Sequence, residues 1–222
     1  MASRTLLRIG AVCAFIGAPL GVVVNALHPP LPPGAEDALR LVALTPGWPL
    51  IHLGLIAALL LLAGSLLAIY RSMDEGGAIA EFGLIAAIVG ITIMVADIAI
   101  DGYATQPLAR AWLDAVTGDT EVAFRVASAV LSAQGALFFI SFTIVFGVTF
   151  VLYGAAVTRS GIYPAWMGAV AVLAGAGSAF LGVGFFLHTG WAIPILIHIL
   201  ALILTVWVLT MGVLLWRRAG AV

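Results

Sequence analysis

The chain reads as an all-α integral membrane bundle of six transmembrane helices, and three observations carry that reading. Of its 222 residues, 64% are hydrophobic and only 9% charged, whereas a soluble domain carries roughly 25% charged residues. Mean hydropathy is +1.22, which leaves too little polar surface to face water all round. The apolar residues also fall into six unbroken runs, each long enough to cross a hydrocarbon core about 30 Å thick.

The runs cover about 6–27, 50–70, 82–100, 126–157, 166–187 and 191–216, and together they make residues 1–222 a single transmembrane domain. Only a helix satisfies its own backbone polar groups within one lipid-embedded segment. The fourth run is longer than one bilayer thickness, so tilt or a projecting end is expected. Gly118-Asp119-Thr120 precedes it, and Asp119 or Thr120 is the expected cap. The first run also has the outline of a signal peptide: Arg4 and Arg8, an apolar stretch, then Val24-Asn25-Ala26. Its kinship with a later helix, described below, favours a membrane span.

All nine cations are arginines. With the N-terminus in the cytoplasm, Arg4, Arg8, Arg71, Arg159, Arg217 and Arg218 lie inside and only Arg40, Arg110 and Arg125 outside. Six against three predicts both termini inside, in a bacterial-type inner (plasma) membrane. The long connections 28–49 and 101–125 then lie outside. Each holds a short amphipathic stretch, 35–44 and 108–116, expected to lie as a helix on the outer interface. Prolines 29, 30, 32 and 33 stop the first helix sharply.

Two hairpins share a pattern. Gly47-Trp48-Pro49 leads to His52, and Gly190-Trp191, then Pro194, leads to His198. Tyr70-Arg71 and Trp216-Arg217 follow the two histidines at the same interval. The preceding helices run from Gly10-Ala11-Val12 to His28 and from Gly168-Ala169-Val170 to His188. Helices 1–2 and 5–6 therefore read as parallel repeats of one hairpin, with helices 3–4 as a diverged third copy.

The polar groups gather by depth. His28 ends helix 1, with Asn25 one turn below it; His52 sits one turn into helix 2; His188 ends helix 5; His198 lies in the first turns of helix 6. Asp97 and Asp101 are spaced i, i+4 at the outer end of helix 3 and share a face. Gln134 lies in the outer part of helix 4. Ionisable groups in a membrane normally face the bundle interior or a wet cavity. Asp97 is the sharpest case, with a metal ion, a histidine or Arg125 as its expected partner. Asp101, followed by Gly102, also reads as the end of helix 3.

Imidazole with carboxylate is a donor set for zinc, copper or iron. The expected metal ligands are His52, His188, His198 and Asp97, with Asp101 and His28 as catalytic neighbours or a proton relay. Alternatively, His52 and His198 clamp a haem b from both faces. No compact metal spacing such as His-x-x-x-His supports either. Trp48, Trp191, Tyr103 and Trp112 read as the outer aromatic belt, and Tyr70, Tyr163, Trp166 and Trp216 as the inner one. Glu36, Asp37, Asp74, Glu75, Asp114 and Glu121 read as solvated loop charges. The 25 glycines fit close helix packing.

Several classes are excluded. There is no basic face for nucleic acid, no phosphate-binding glycine loop, no Gly-x-Ser-x-Gly elbow and no lysine for a retinal Schiff base. The single cysteine, Cys13, has no second thiol with which to form an intramolecular bond. Three functions fit what remains. The first is a metal or haem protein, an oxidoreductase or hydrolase, acting on a lipid-soluble substrate or electron carrier. The second is a proton-coupled transporter using Asp97. The third is a non-catalytic subunit whose glycine faces pack on a membrane-protein partner or a second copy of the chain.

The stretch Asp101-Gly102-Tyr103-Ala104, followed by Leu108-Ala109 and Trp112, resembles uncharacterised six-helix membrane proteins of high-GC actinobacteria. The stretches Tyr163-Pro164-Ala165-Trp166-Met167-Gly168 and Gly212-Val213-Leu214-Leu215-Trp216-Arg217-Arg218 resemble them too. The resemblance covers most of the chain. It implies a six-helix membrane fold and brings no activity with it.

Overall fold

In the computed structural model, residues 2–73, 77–116, 118–190 and 192–221 are described. They form seven helices and no strand: α1 Arg4–Leu27, α2 Ala35–Leu44, α3 Trp48–Ser72, α4 Gly77–Leu113, α5 Thr120–Ser160, α6 Ala165–Phe186 and α7 Pro194–Ala221. All but α2 are long and apolar enough to cross a membrane. The expected belt residue Trp191 and the loop charges Asp74 and Glu75 lie outside the described residues.

Local chemistry sets the helix ends. Ser3 Oγ accepts a hydrogen bond from the Leu6 N–H at 3.2 Å and so caps α1. Gly47 supplies the left-handed turn, φ 73°, that lets the chain enter α3, where Pro49 occupies the first turn without losing a helical bond. Gly161, φ 63°, ends α5 in the left-handed conformation. The expected cap at Asp119 is not made: its side chain gives α5 no hydrogen bond, and Thr120 Oγ1 instead donates back to the Val116 carbonyl at 3.3 Å.

The six long helices close a ring in the order α1, α3, α4, α5, α6, α7, with α7 packed back on α1. Lipid offers no hydrophobic drive between helices, so close contact of small residues does the packing. A Cβ on Gly154 would fall 2.6 Å from the Gly168 carbonyl, and one on Gly175 would fall 2.8 Å from Val151 N. The backbones of α5 and α6 therefore touch. In the core, Tyr153 Oη donates to the Leu66 carbonyl at 3.0 Å, tying α5 to α3, and Trp207 Nε1 donates to Met167 O at 2.7 Å, tying α7 to α6. Leu50, Leu60, Leu173 and Phe180 are exposed on the outside of the ring, where lipid would meet them.

Two expectations change at the end of the bundle that carries the long connections. The stretch 108–116 is not a separate interfacial helix. Asp101 does not terminate the third span either. A single widened π-type turn, Asp101–Thr105, carries α4 on to Leu113. Against this extension lies α2, found where the amphipathic pattern puts it. Gln106 Nε2 donates to the carbonyls of Val42 at 3.0 Å and Thr45 at 2.8 Å, and Arg110 Nε to that of Ala43 at 3.1 Å. Leu39, Val42, Ala43, Trp48, Ala109, Trp112 and Ala127 form a second small core beneath this cap. The fourth span also contains a π-type turn, Thr143–Val148, and at 41 residues projects beyond one bilayer thickness.

Candidate metal centre

Under the cap, three residues from three helices converge. Each of His28, His52 and Asp101 offers one ligand atom, and these atoms all lie within 4.8 Å of one another. His28 sits where Pro29 ends α1, and its Nδ1 meets the Pro29 carbonyl at 3.0 Å. His52 is one turn into α3, 2% exposed, with Nδ1 2.7 Å from the Trp48 carbonyl. A carbonyl oxygen only accepts, so both Nδ1 atoms carry the hydrogen. Each Nε2 is then the atom with the lone pair, the orientation that outer hydrogen bonds impose on metal-ligating histidines. Burial foremost, then the positive charge that His52 would carry, holds the His28 imidazole below the ordinary histidine range. That favours the neutral, ligating form.

Asp101 faces His52 directly, with Oδ2 3.0 Å from Nε2. The π-type turn brings it there, in keeping with the concentration of such turns at functional sites. Gly102 permits the approach: a Cβ at that position would lie 2.5 Å from His52 Cβ and 3.0 Å from His52 Cγ. Trp48 touches all three residues. Its ring lies 4.7 Å from that of His28 and 4.6 Å from that of His52, and its Nε1 donates to the Asp101 carbonyl at 3.0 Å. It is fully buried and not part of an interfacial belt. Trp112 and Tyr163 are likewise buried, the latter bonded through its hydroxyl to Ser72, whereas Tyr103, Trp166 and Trp216 are exposed as belt residues should be.

No family model, curated protein or solved structure matches the chain. Geometry alone therefore has to say what this cluster can do.

Of the residues singled out from the sequence, the structure brings together His28, His52 and Asp101, with Asp97 one turn before Asp101 on α4. Asp97 is 4% exposed and its Oδ1 has no hydrogen-bond partner. The expected ion pair with Arg125 is absent: Arg125 is exposed and bonded to Glu121 at 2.8 Å. His188 and His198 stand outside the cluster. His188 is exposed with φ 53°. His198 is exposed and reaches only the Pro194 carbonyl, at 3.3 Å. The proposed His52–His198 haem clamp thus loses one face. The imidazoles of His28 and His52, 5.2 Å apart and edge to face, are also too close to grip a porphyrin between them.

From sequence Trp48 reads as a belt residue and Gly102 as part of a helix end, whereas in the fold both belong to the site. Both left a trace: Trp48 stands i, i+4 before a histidine, and Gly102 directly follows an intramembrane carboxylate.

Proposed function

We propose that this multi-pass membrane protein binds one first-row transition-metal ion between His28 Nε2, His52 Nε2 and the Asp101 carboxylate, and acts there on a lipid-soluble substrate or electron carrier. One observation carries the reading. With the Nδ1 hydrogen of His52 committed to the Trp48 carbonyl, Nε2 and Asp101 Oδ2 face each other at 3.0 Å. Two lone pairs at that distance repel unless a proton or a cation lies between them. A third donor within reach, His28, favours the cation. Metal–ligand bonds of about 2.0–2.2 Å fit the His52–Asp101 spacing as it stands, and an ion there would draw the His28 donor, which lies within 4.8 Å, closer.

Two histidines, one carboxylate and open positions are the donor set of non-haem ferrous oxygenases, while three protein ligands with one open position also suit catalytic zinc. Either ion would polarise an oxygen bound at the open position. The arginine distribution supports an orientation with both termini in the cytoplasm of a bacterial-type cell, which puts the centre at the outer face. Elemental analysis and an absorption spectrum of the detergent-purified chain test the proposal. About one ion per chain is expected, with no Soret band. A chain that takes up neither iron, zinc nor copper on reconstitution would sink it.

A second reading has its own observation. The buried, unpartnered Asp97 Oδ1, one turn from a His52–Asp101 pair sharing a proton, suits a proton-coupled carrier. It requires pH-driven flux in liposomes that Asp97→Asn abolishes without any metal. A packing subunit would have to use other faces, since Gly147, Gly154, Gly168, Gly175 and Gly182 are taken up by contacts between α5 and α6 of the same chain.

A further inference from the structure

The two ends of the bundle treat their arginines differently. At the capped end each has an acceptor: Arg40 meets Glu36 at 3.5 Å, Arg125 meets Glu121 at 2.8 Å, and Arg110 donates to the Ala43 carbonyl. At the opposite end, where α1 begins and α7 finishes, Arg4, Arg8, Arg159 and Arg217 are exposed. Among the described residues none of these four has a carboxylate or carbonyl partner.

Arg8 is the anomaly among them. It lies inside the first apolar run, between Leu7 and Ile9, where an ionisable side chain normally turns to the bundle interior. Arg8 is instead exposed, with its guanidinium carbon 5.7 Å from the centre of the Trp216 ring on α7. Arg4, one turn earlier, shares its face of α1. Further along that face lies Phe15, which reaches α7 at Gly212: a Cβ there would fall 3.1 Å from Phe15 Cε1. Phe15, Val12 and Val213 are all exposed. The lipid-facing seam between α1 and α7 thus runs from two guanidinium groups, past a half-exposed indole, to an open apolar stripe.

Arginines at a helix end set orientation and need no bound lipid. Here, however, one guanidinium is held in place by an aromatic face, above a stripe at hydrocarbon depth. An acidic protein segment would match the charges and leave the stripe unmatched. A zwitterionic headgroup brings its own cation to its phosphate. We infer that this seam binds an anionic phospholipid, its phosphate between Arg4 and Arg8 and an acyl chain along Val12, Phe15 and Val213. Basic pockets between transmembrane helices hold headgroups of this kind. Trp216 is then a positioning residue for Arg8. The inference is independent of the metal, which lies at the other end of the bundle.

Native mass spectrometry of the detergent-purified full chain tests it, with phosphatidylglycerol and phosphatidylcholine of identical acyl chains as probes. The wild type should retain phosphatidylglycerol in preference. Arg8→Gln should weaken that preference about fivefold, the worth of one cation at a membrane surface, and Arg4→Gln with Arg8→Gln about 25-fold. Trp216→Leu, which keeps both charges, should weaken it about two- to fivefold. Arg159→Gln removes the same charge from the same end, but from α5, which does not border the seam, and should change the preference by less than about twofold. Equal losses in Arg159→Gln and Arg8→Gln overturn the seam, because net charge alone would then attract the lipid. So does a wild type without preference, or displacement of the lipid by excess inorganic phosphate, which would make the arginines a site for soluble anions. The wild-type preference and the phosphate competition need no variant, so they decide the matter even where a substitution impairs folding.

Discussion

His52 and His198 occupy the same local setting and meet different fates. Each lies in the first turns of its helix behind a proline, and each turns Nδ1 to the carbonyl four residues back, at 2.7 Å in His52 and 3.3 Å in His198. The backbone sets the same ring orientation twice. His52 is nevertheless buried and finds a carboxylate, while His198 is exposed and finds none. What separates them is the chain that covers them. Over α3 lie α2, the extension of α4 beyond its π-type turn, and the indole of Trp48. Between α6 and α7 the connection is short, and among the described residues no helix covers His198, which is exposed. A helix start can aim an imidazole, but the remote connection decides whether it becomes a site.

Substituting the histidines breaks the comparison most directly. His52→Ala and Asp101→Asn should each remove bound metal, weakening affinity by more than the roughly 10–100-fold that loss of an outer hydrogen-bond partner costs. His198→Ala should leave stoichiometry unchanged. Elemental analysis on monodisperse detergent samples reads all three, and equal loss in His198→Ala would show that the two hairpin ends act together after all. Glycines offer the next contrast. Gly102→Ala places a methyl against His52 Cβ, and the displaced ring should weaken metal binding by roughly 10–100-fold, as loss of outer-shell support does. Gly190, at the other hairpin end, has open space around it. Gly190→Ala should bind metal as the wild type does in a competition titration with a chromophoric chelator.

The legible parts of this molecule are those governed by period and length. Six apolar runs foretold six spans, and the amphipathic pattern of 35–44 foretold α2. His28, His52 and Asp101 could be placed at one depth because depth is a property of each helix alone. Which of them touch depends on rotation and on who covers whom, and apolar sequence is nearly silent on both. The π-type turn at Asp101–Thr105 shows why. It turns what reads as an Asp-Gly helix end into a continuation, carries Asp101 round to His52 and lays the following helix under α2. No residue in Asp101-Gly102-Tyr103-Ala104-Thr105 forbids an ordinary stop. The repeat pattern misled in the same way, giving His188 and His198 equal claim with His28 and His52 because it counts only neighbours along the chain.

Trp48→Phe sharpens the comparison at smaller amplitude. The phenyl ring can still lie against His28 and His52, but the Nε1 hydrogen bond to the Asp101 carbonyl is lost. A single hydrogen bond is worth about 1 kcal/mol net, so the metal dissociation constant should rise about fivefold. An unchanged constant would mean that the π-type turn holds Asp101 without help from Trp48.

The smallest effect on the metal should come from Gln106→Leu, which leaves every ligand in place and loosens only the cover. Gln106 Nε2 serves two carbonyls at the end of α2, those of Val42 and Thr45. Losing both bonds should cost α2 about 2 kcal/mol of local stability, since each is worth about 1 kcal/mol net. Amide exchange in 39–43 should then quicken by roughly 10–30-fold, provided exchange there proceeds by local opening, while exchange in 187–190 stays as it was. The Leu39 and Val42 side chains remain in the small core beneath the cap, so α2 should loosen without detaching, and the metal constant should move less than it does in Trp48→Phe. If Gln106→Leu instead matches the loss seen in Gly102→Ala, the cap acts directly on the ligands. The difference between His52 and His198 would then lie less in the partner residue that each meets than in how firmly the chain above is fastened.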